Sequence, residues 1–262
     1  PYWISTEIGT TDGSGELPRT AITSAGYAHR AKVAQSAPIP FYIKGFELVY
    51  NNTTSVKVNP GFLFHGETSI SKPSVTTLTL TRAAHWWDGA IDSYAEEDEW
   101  CYIGINASGD IKLLGNNPPD KADTNGNIEG TKRYWYDGAN YWRVIGAVRV
   151  NTSNQVAYKF YQEGNDIFYD AEQNIITNGT ATTWTNVNCT SVVPEISESI
   201  YFLVTGNESS VGSSYFNMRP DGSDSAGWLV NYIGSNDVGT NLFKMNSRSQ
   251  VCQYKIIQRS AY

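Results

Sequence analysis

The chain has 262 residues, enough to bury roughly three quarters of its unfolded surface without disulfide staples. Leu numbers only 10 and Met 2, while Tyr, Trp, Thr, Val, Ile, Asn and 23 Gly are plentiful, which excludes a helical bundle and fits an all-β protein. A net charge of -7, with no Lys/Arg run, excludes the phosphate neutralisation that non-specific nucleic-acid binding needs.

Residues 1–40 differ from the rest and read as an N-terminal arm. They open with PYWISTEIGTT, which has neither the charged nor the apolar region of a secretory signal. The Ala-rich stretch from Thr20 to Ala37 has room for a short helix but no apolar stripe, and Pro38 and Pro40 end it. The arm packs either on its own domain or on another subunit.

From Phe41 to Tyr262 short β segments alternate with turn chemistry. FELVYNNTTSVKVNPGFLF reads as a strand, a turn at Asn51-Asn52, and a strand ended by Asn59-Pro60-Gly61. SVTTLTLTR sets Leu78 and Leu80 on one face and Thr77, Thr79 and Thr81 on the other. WCYIGINASGDIKLLG is a hairpin turning at Ala107–Asp110, where Gly109 supplies positive φ. WRVIGAVRVNTSNQVAYKFYQ is a second hairpin, with Val144, Val148 and Val150 on one face. SIYFLVTG, nearly all apolar, reads as a central strand covered on both sides. QVCQYKIIQ is the last strand, and 88–99, 116–132 and 207–227 read as long loops. The expected architecture is an antiparallel, jelly-roll-like β-sandwich over residues 41–262.

No apolar stretch approaches the ~18 residues of a membrane span. Three separated cysteines, Cys101, Cys189 and Cys252, cannot form a disulfide framework. They read as small buried hydrophobes of a protein made in a reducing cytoplasm.

Chemistry-bearing motifs are scarce. His29, His65 and His85 have no partner at metal-ligand spacing, and no GxSxG, GxxxxGK, GxGxxG or HExxH occurs. The loop DKADTNGNIEG offers Asp120, Asp123, Asn125 and Asn127, but an Asn/Asp turn explains them better than the calcium spacing they fail to meet. The run Glu96-Glu97-Asp98-Glu99 reads as a solvated turn rather than a catalytic dyad. No catalytic residue, metal ligand or cofactor site is expected. The aromatic doublets carry the binding case: Trp86 and Trp87 read first as core or subunit-interface residues, and are the candidates for stacking on a sugar ring as the alternative. Tyr134-Trp135-Tyr136 and Tyr141-Trp142 present the same choice.

The stretch YWRVIGAVRVNTSNQVAYKFYQEGNDIFY resembles tailed-bacteriophage virion proteins. The parts are the strand Ile145-Gly146-Ala147-Val148-Arg149, the turn Asn151–Asn154, and the segment from Phe160 to Phe168. Upstream, Gly45, Asn51-Asn52 and Pro60-Gly61 fit the same pattern, as does the hairpin Trp100–Leu114, so the likeness spans 41–170. It departs at the single Arg143, where a basic pair is usual, and in the length of 207–227. The resemblance implies a non-enzymatic β-sandwich module of a head fibre, tail fibre, spike or capsid decoration, on the particle surface. It further implies a homotrimer attached to capsid or tail proteins through the arm. Host-surface glycans are the other partner class expected, with no membrane insertion and no nucleic acid.

Overall fold

The computed structural model describes residues 42–65, 68–90, 99–116, 134–197, 199–207, 213–221, 228–233, 238–246 and 250–259. The 1–40 arm, Glu96 to Asp98 and the Asp120–Asn127 loop lie outside them.

The chain is all-β. In order come β1 (Ile43–Gly45), β2 (Leu48–Asn52), β3 (Ser55–Val58), β4 (Gly61–His65), β5 (Thr68–Lys72) and β6 (Thr76–Thr79). A 3-10 turn at Ala83–His85 precedes β7 (Glu99–Asn106), β8 (Ile111–Gly115), β9 (Tyr134–Tyr136) and β10 (Tyr141–Val150). Then follow β11 (Phe160–Glu163), β12 (Asp166–Tyr169), β13 (Thr185–Asn188) and β14 (Ser199–Asn207). The last four are β15 (Ser213–Pro220), β16 (Trp228–Ile233), β17 (Val238–Asn246) and β18 (Val251–Arg259). Every ladder between these strands is antiparallel.

The sheets β1-β4-β5 and β2-β3-β6 face the sheet β8-β7-β10-β9 across a shared core. Leu48, Val56, Leu63 and Leu78 from one side meet Ile103, Ile105, Leu113 and Val148 from the other. The Leu/Thr alternation of β6 works as expected, burying Leu78 and Leu80. Close approach is possible because Gly146 has no side chain: a Cβ there would lie 2.5 Å from Leu48 Cδ1. The back of β7 and β10 is covered as well, by a cluster of Trp100, Tyr102, Leu114, Trp142 and Ala147. A second core gathers Val187, Cys189, Phe202, Phe216, Met218, Cys252 and Tyr254 from β13, β14, β15 and β18. Hydrogen bonds that join it to the first part include Trp100 Nε1 donating to Thr190 O (2.6 Å) and Tyr169 OH to Val192 O (2.8 Å).

The β7–β8 hairpin turns at 107–110 as expected, with Gly109 at φ +81° and Asp110 N donating to Asn106 Oδ1. Five expectations need correction. The Asn51-Asn52 turn shifts forward, because β2 runs through both residues and Asn52 Oδ1 caps Thr54 N at 2.9 Å. Val144 does not share a face with Val148 and Val150. A β-bulge between Val144 and Gly146 reverses the alternation, so Val144 joins the Trp142 cluster behind the sheet. The second hairpin is not one: after the turn at 151–155 only Val156 bridges back to Val150, and β11 pairs with β12 instead. Finally, β14 is not a central strand. Among the described residues it pairs with β17 alone, and outward Tyr201 and Leu203 alternate with buried Phe202. The expected loop at 207–227 also contains a strand, β15.

Candidate functional site

Trp86 is 1% exposed and cannot stack on a sugar. Its Nε1 donates to Leu80 O at 2.8 Å, and its ring is part of the sandwich core. Trp87 is half-buried, edge-on to Trp135 with centroids 4.8 Å apart. Both rings pack on the back of β7 and β10, and the Trp87 Nε1 has no hydrogen-bond partner among the described residues. The first tryptophan is therefore a core residue, and the second presents only part of its ring.

The β9–β10 hairpin divides its aromatics similarly. Tyr134 and Trp142 are buried, and Tyr136 leans on Tyr141 at the surface with centroids 4.6 Å apart. Its turn is organised by Asp137, which accepts from Trp142 Nε1 (2.9 Å), Ala139 N and Asn140 N. Partial burial pushes the Asp137 carboxyl up, but these donors outweigh it and hold it below the usual carboxylate range.

His65 and His85 serve structure. His85 Nδ1 accepts from Thr79 N at 2.7 Å. His65 is buried, lies edge-on to Tyr134, and donates from Nε2 to Tyr141 O at 2.8 Å. Burial holds the His65 imidazole below the ordinary histidine range, with Arg143 adding to the effect and the backbone bonds opposing it. Unfolded His65 accepts a proton near pH 6.5 that the folded ring refuses, so more protons are bound in the unfolded state on the acid side. Stability is accordingly expected to fall as pH drops below about 6.5, by at most about 1.4 kcal/mol per pH unit for one proton. His85 is shifted the same way, chiefly by burial, so urea midpoints across pH 7 to 5.5 should flatten most in a His65→Gln, His85→Gln double variant.

The three cysteines are buried thiols, as expected. Cys189 and Cys252 lie with Sγ atoms 4.0 Å apart inside the second core.

The surface that sequence reading overlooked is built on β11 and β12. Their register pairs Phe160 with Tyr169 and Tyr161 with Phe168. Phe160 points into the first core, so alternation turns Tyr161 and Phe168 outward. The outward rings stack, 5.1 Å apart and 17° from parallel. Tyr201 of β14 extends the row from Phe168, at 6.5 Å and 28°. Tyr161 is 53% exposed, Tyr201 41% and Leu203, next along β14, 46%. Alternation and register place Glu163 and Asp166 on the same face at the hairpin end. Gln162, on the opposite face, accepts from Leu48 N at 2.8 Å and so pins the hairpin to β2.

This row is held in place by backbone pairing and side-chain stacking worth about 0.5–1.5 kcal/mol per aromatic pair. It is rigid, apolar and edged by carboxylates, which suits contact with another surface. Comparison with protein-family models, curated proteins and solved structures finds no match for this chain.

Proposed function

We propose that this chain is a structural protein of a tailed-phage particle. It forms a projecting fibre, spike or decoration module attached through residues 1–40. The observation that carries the reading is the exposed row Tyr161–Phe168–Tyr201, displayed on a framework made of antiparallel sheet. Contiguous apolar surface of this kind marks contact sites, because leaving it in water forfeits about 25 cal/mol per Å². The resemblance over 41–170 supplies the particle context. Identical copies are the occupant proposed for the row, since a homotrimer repeats one rigid patch at every interface and covers it.

Tyr161→Ala tests this reading. The ring is half exposed, so the variant should still fold, losing about 0.5–1.5 kcal/mol of stacking on Phe168. Association should weaken by about 2 kcal/mol per interface, the usual loss for an aromatic anchor. Sedimentation velocity at micromolar concentration should show a trimer for the wild type and lighter species for the variant. An unchanged distribution in the variant would remove the row from the interface.

A carbohydrate-contacting module is the second reading. Glu163 and Asp166 beside Tyr161 favour it, since sugars are held by an apolar ring face together with hydroxyl acceptors.

A further inference from the structure

The three cysteines divide between the two cores: Cys101 lies in the first, Cys189 and Cys252 in the second. Cys252 stands on β18 opposite Val187 of β13, and Cys189 follows Val187 by two residues, so alternation brings both thiols to one core face. Their Sγ atoms are 4.0 Å apart, although 63 positions separate them along the chain. Both backbones are fixed. Cys189 N donates to Gln250 O at 2.8 Å, and Cys189 O accepts from Val192 N at 3.0 Å and Val193 N at 2.9 Å. Cys252 is paired on both sides, with β13 and with β15. Closing the gap to an S–S bond of about 2.0 Å falls to rotation of the two side chains.

Access to these buried sulfurs comes from the sheet edge. β13 is the outermost strand of β13-β18-β15-β16, has four residues and buries only Val187. A short edge segment with so little buried surface opens locally far more readily than a core strand. We infer that Cys189 and Cys252 are a redox pair that hydrogen peroxide converts to an intrachain disulfide, locking the end of β13 to β18. When β13 frays, the Cys189 thiolate attacks one peroxide oxygen, the O–O bond breaks, and hydroxide leaves to be protonated to water. Cys252 then attacks the Cys189 sulfenic acid as the strand closes. The S–S bond forms, and the sulfenic hydroxyl leaves as water with the Cys252 proton. The two thiols lose two electrons, and the peroxide is reduced to two waters. The hydrogen bond between the thiols sets these roles. It outweighs burial in holding Cys189 below the ordinary thiol range and, together with burial, raises Cys252. The pair lies apart from the aromatic row and does not depend on the particle reading.

Treating the whole native chain with millimolar hydrogen peroxide, then unfolding, alkylating and weighing it by mass spectrometry, tests the assignment. Of the three thiols one should remain open to alkylation, and a digest should join the peptides that hold Cys189 and Cys252. Dithiothreitol should restore all three. The bridge closes a loop of 63 residues, so the oxidised chain should melt on the order of 10 °C above the reduced one. Cys189→Ala should abolish that rise and leave Cys252 unbridged. Three alkylated thiols after treatment would overturn the inference. So would a bridge to Cys101 or to a second chain, or sulfinic acid on Cys189 with Cys252 still a thiol. An oxidised chain that melts no higher than the reduced one would reject the lock.

Discussion

Replacing Trp86 with Ala is expected to destabilise the protein by about 3–5 kcal/mol, the range for deleting a large buried aromatic. The indole is sealed among both layers of the sandwich, so its removal opens a cavity that rigid sheets cannot close. A polar loss adds to the cavity, because Leu80 O loses the donor 2.8 Å away. The main chain at this point bridges Leu113, and Trp87 N donates to Leu113 O at 3.0 Å, so the damage reaches β8. Trp86→Phe keeps most of the volume but not the donor, and should cost about 1–3 kcal/mol. Urea denaturation followed by tyrosine and tryptophan emission measures both. A surface platform would behave oppositely, with stability within about 0.5 kcal/mol of wild type and only ligand binding lost.

Arg143→Ala should be comparably severe, about 3–5 kcal/mol, from a cavity and from carbonyls left short of donors, although the side chain is charged. Arg143 is 2% exposed on β10, and its guanidinium donates to Tyr42 O at 3.1 Å and to Phe64 O. Those carbonyls belong to the start of β1 and to β4, whose own pairing continues through Phe64 N donating to Tyr42 O at 3.1 Å. The guanidinium therefore stitches the β1-β4-β5 sheet to the β10 strand. Its removal takes these donors from part-buried carbonyls and leaves a void between layers. Arg143→Met fills much of the void but restores no donor, so it should recover only part of the loss. Equal stability of Arg143→Met and wild type would show that the hydrogen bonds contribute nothing net. Lys is a poor replacement, since one ammonium cannot reproduce the fork that reaches two carbonyls.

Local patterning made much of this fold readable. β-Branched and aromatic composition gave the class, Leu78 and Leu80 marked an inward face, and Gly109 placed a turn. The failures share one physical cause: features decided by what a strand meets far along the chain. A bulge at Val144/Gly146 reverses a face that strict alternation keeps, and nothing in VIGAV announces it. The apolar run of β14 reads as central, but its place beside β17 leaves Tyr201 and Leu203 at the surface. The candidate site divides along the same line. Tyr161 and Phe168 were legible, because FYQE and DIFY about Gly164-Asn165 set them opposite one another on the face away from Phe160. Tyr201 was not, since it arrives from β14. The doublet Trp86-Trp87 left core and platform both open, and a 3-10 turn delivers the first ring into the core.

The most direct measurement is the place of this chain in particles purified from cells whose genome encodes it, by mass spectrometry and then reconstruction. A projecting attachment protein predicts the chain in the particles, as threefold assemblies each of three 29.0 kDa copies standing out from the surface. Particles that lack the chain, or a chain recovered only as free monomer, would contradict it.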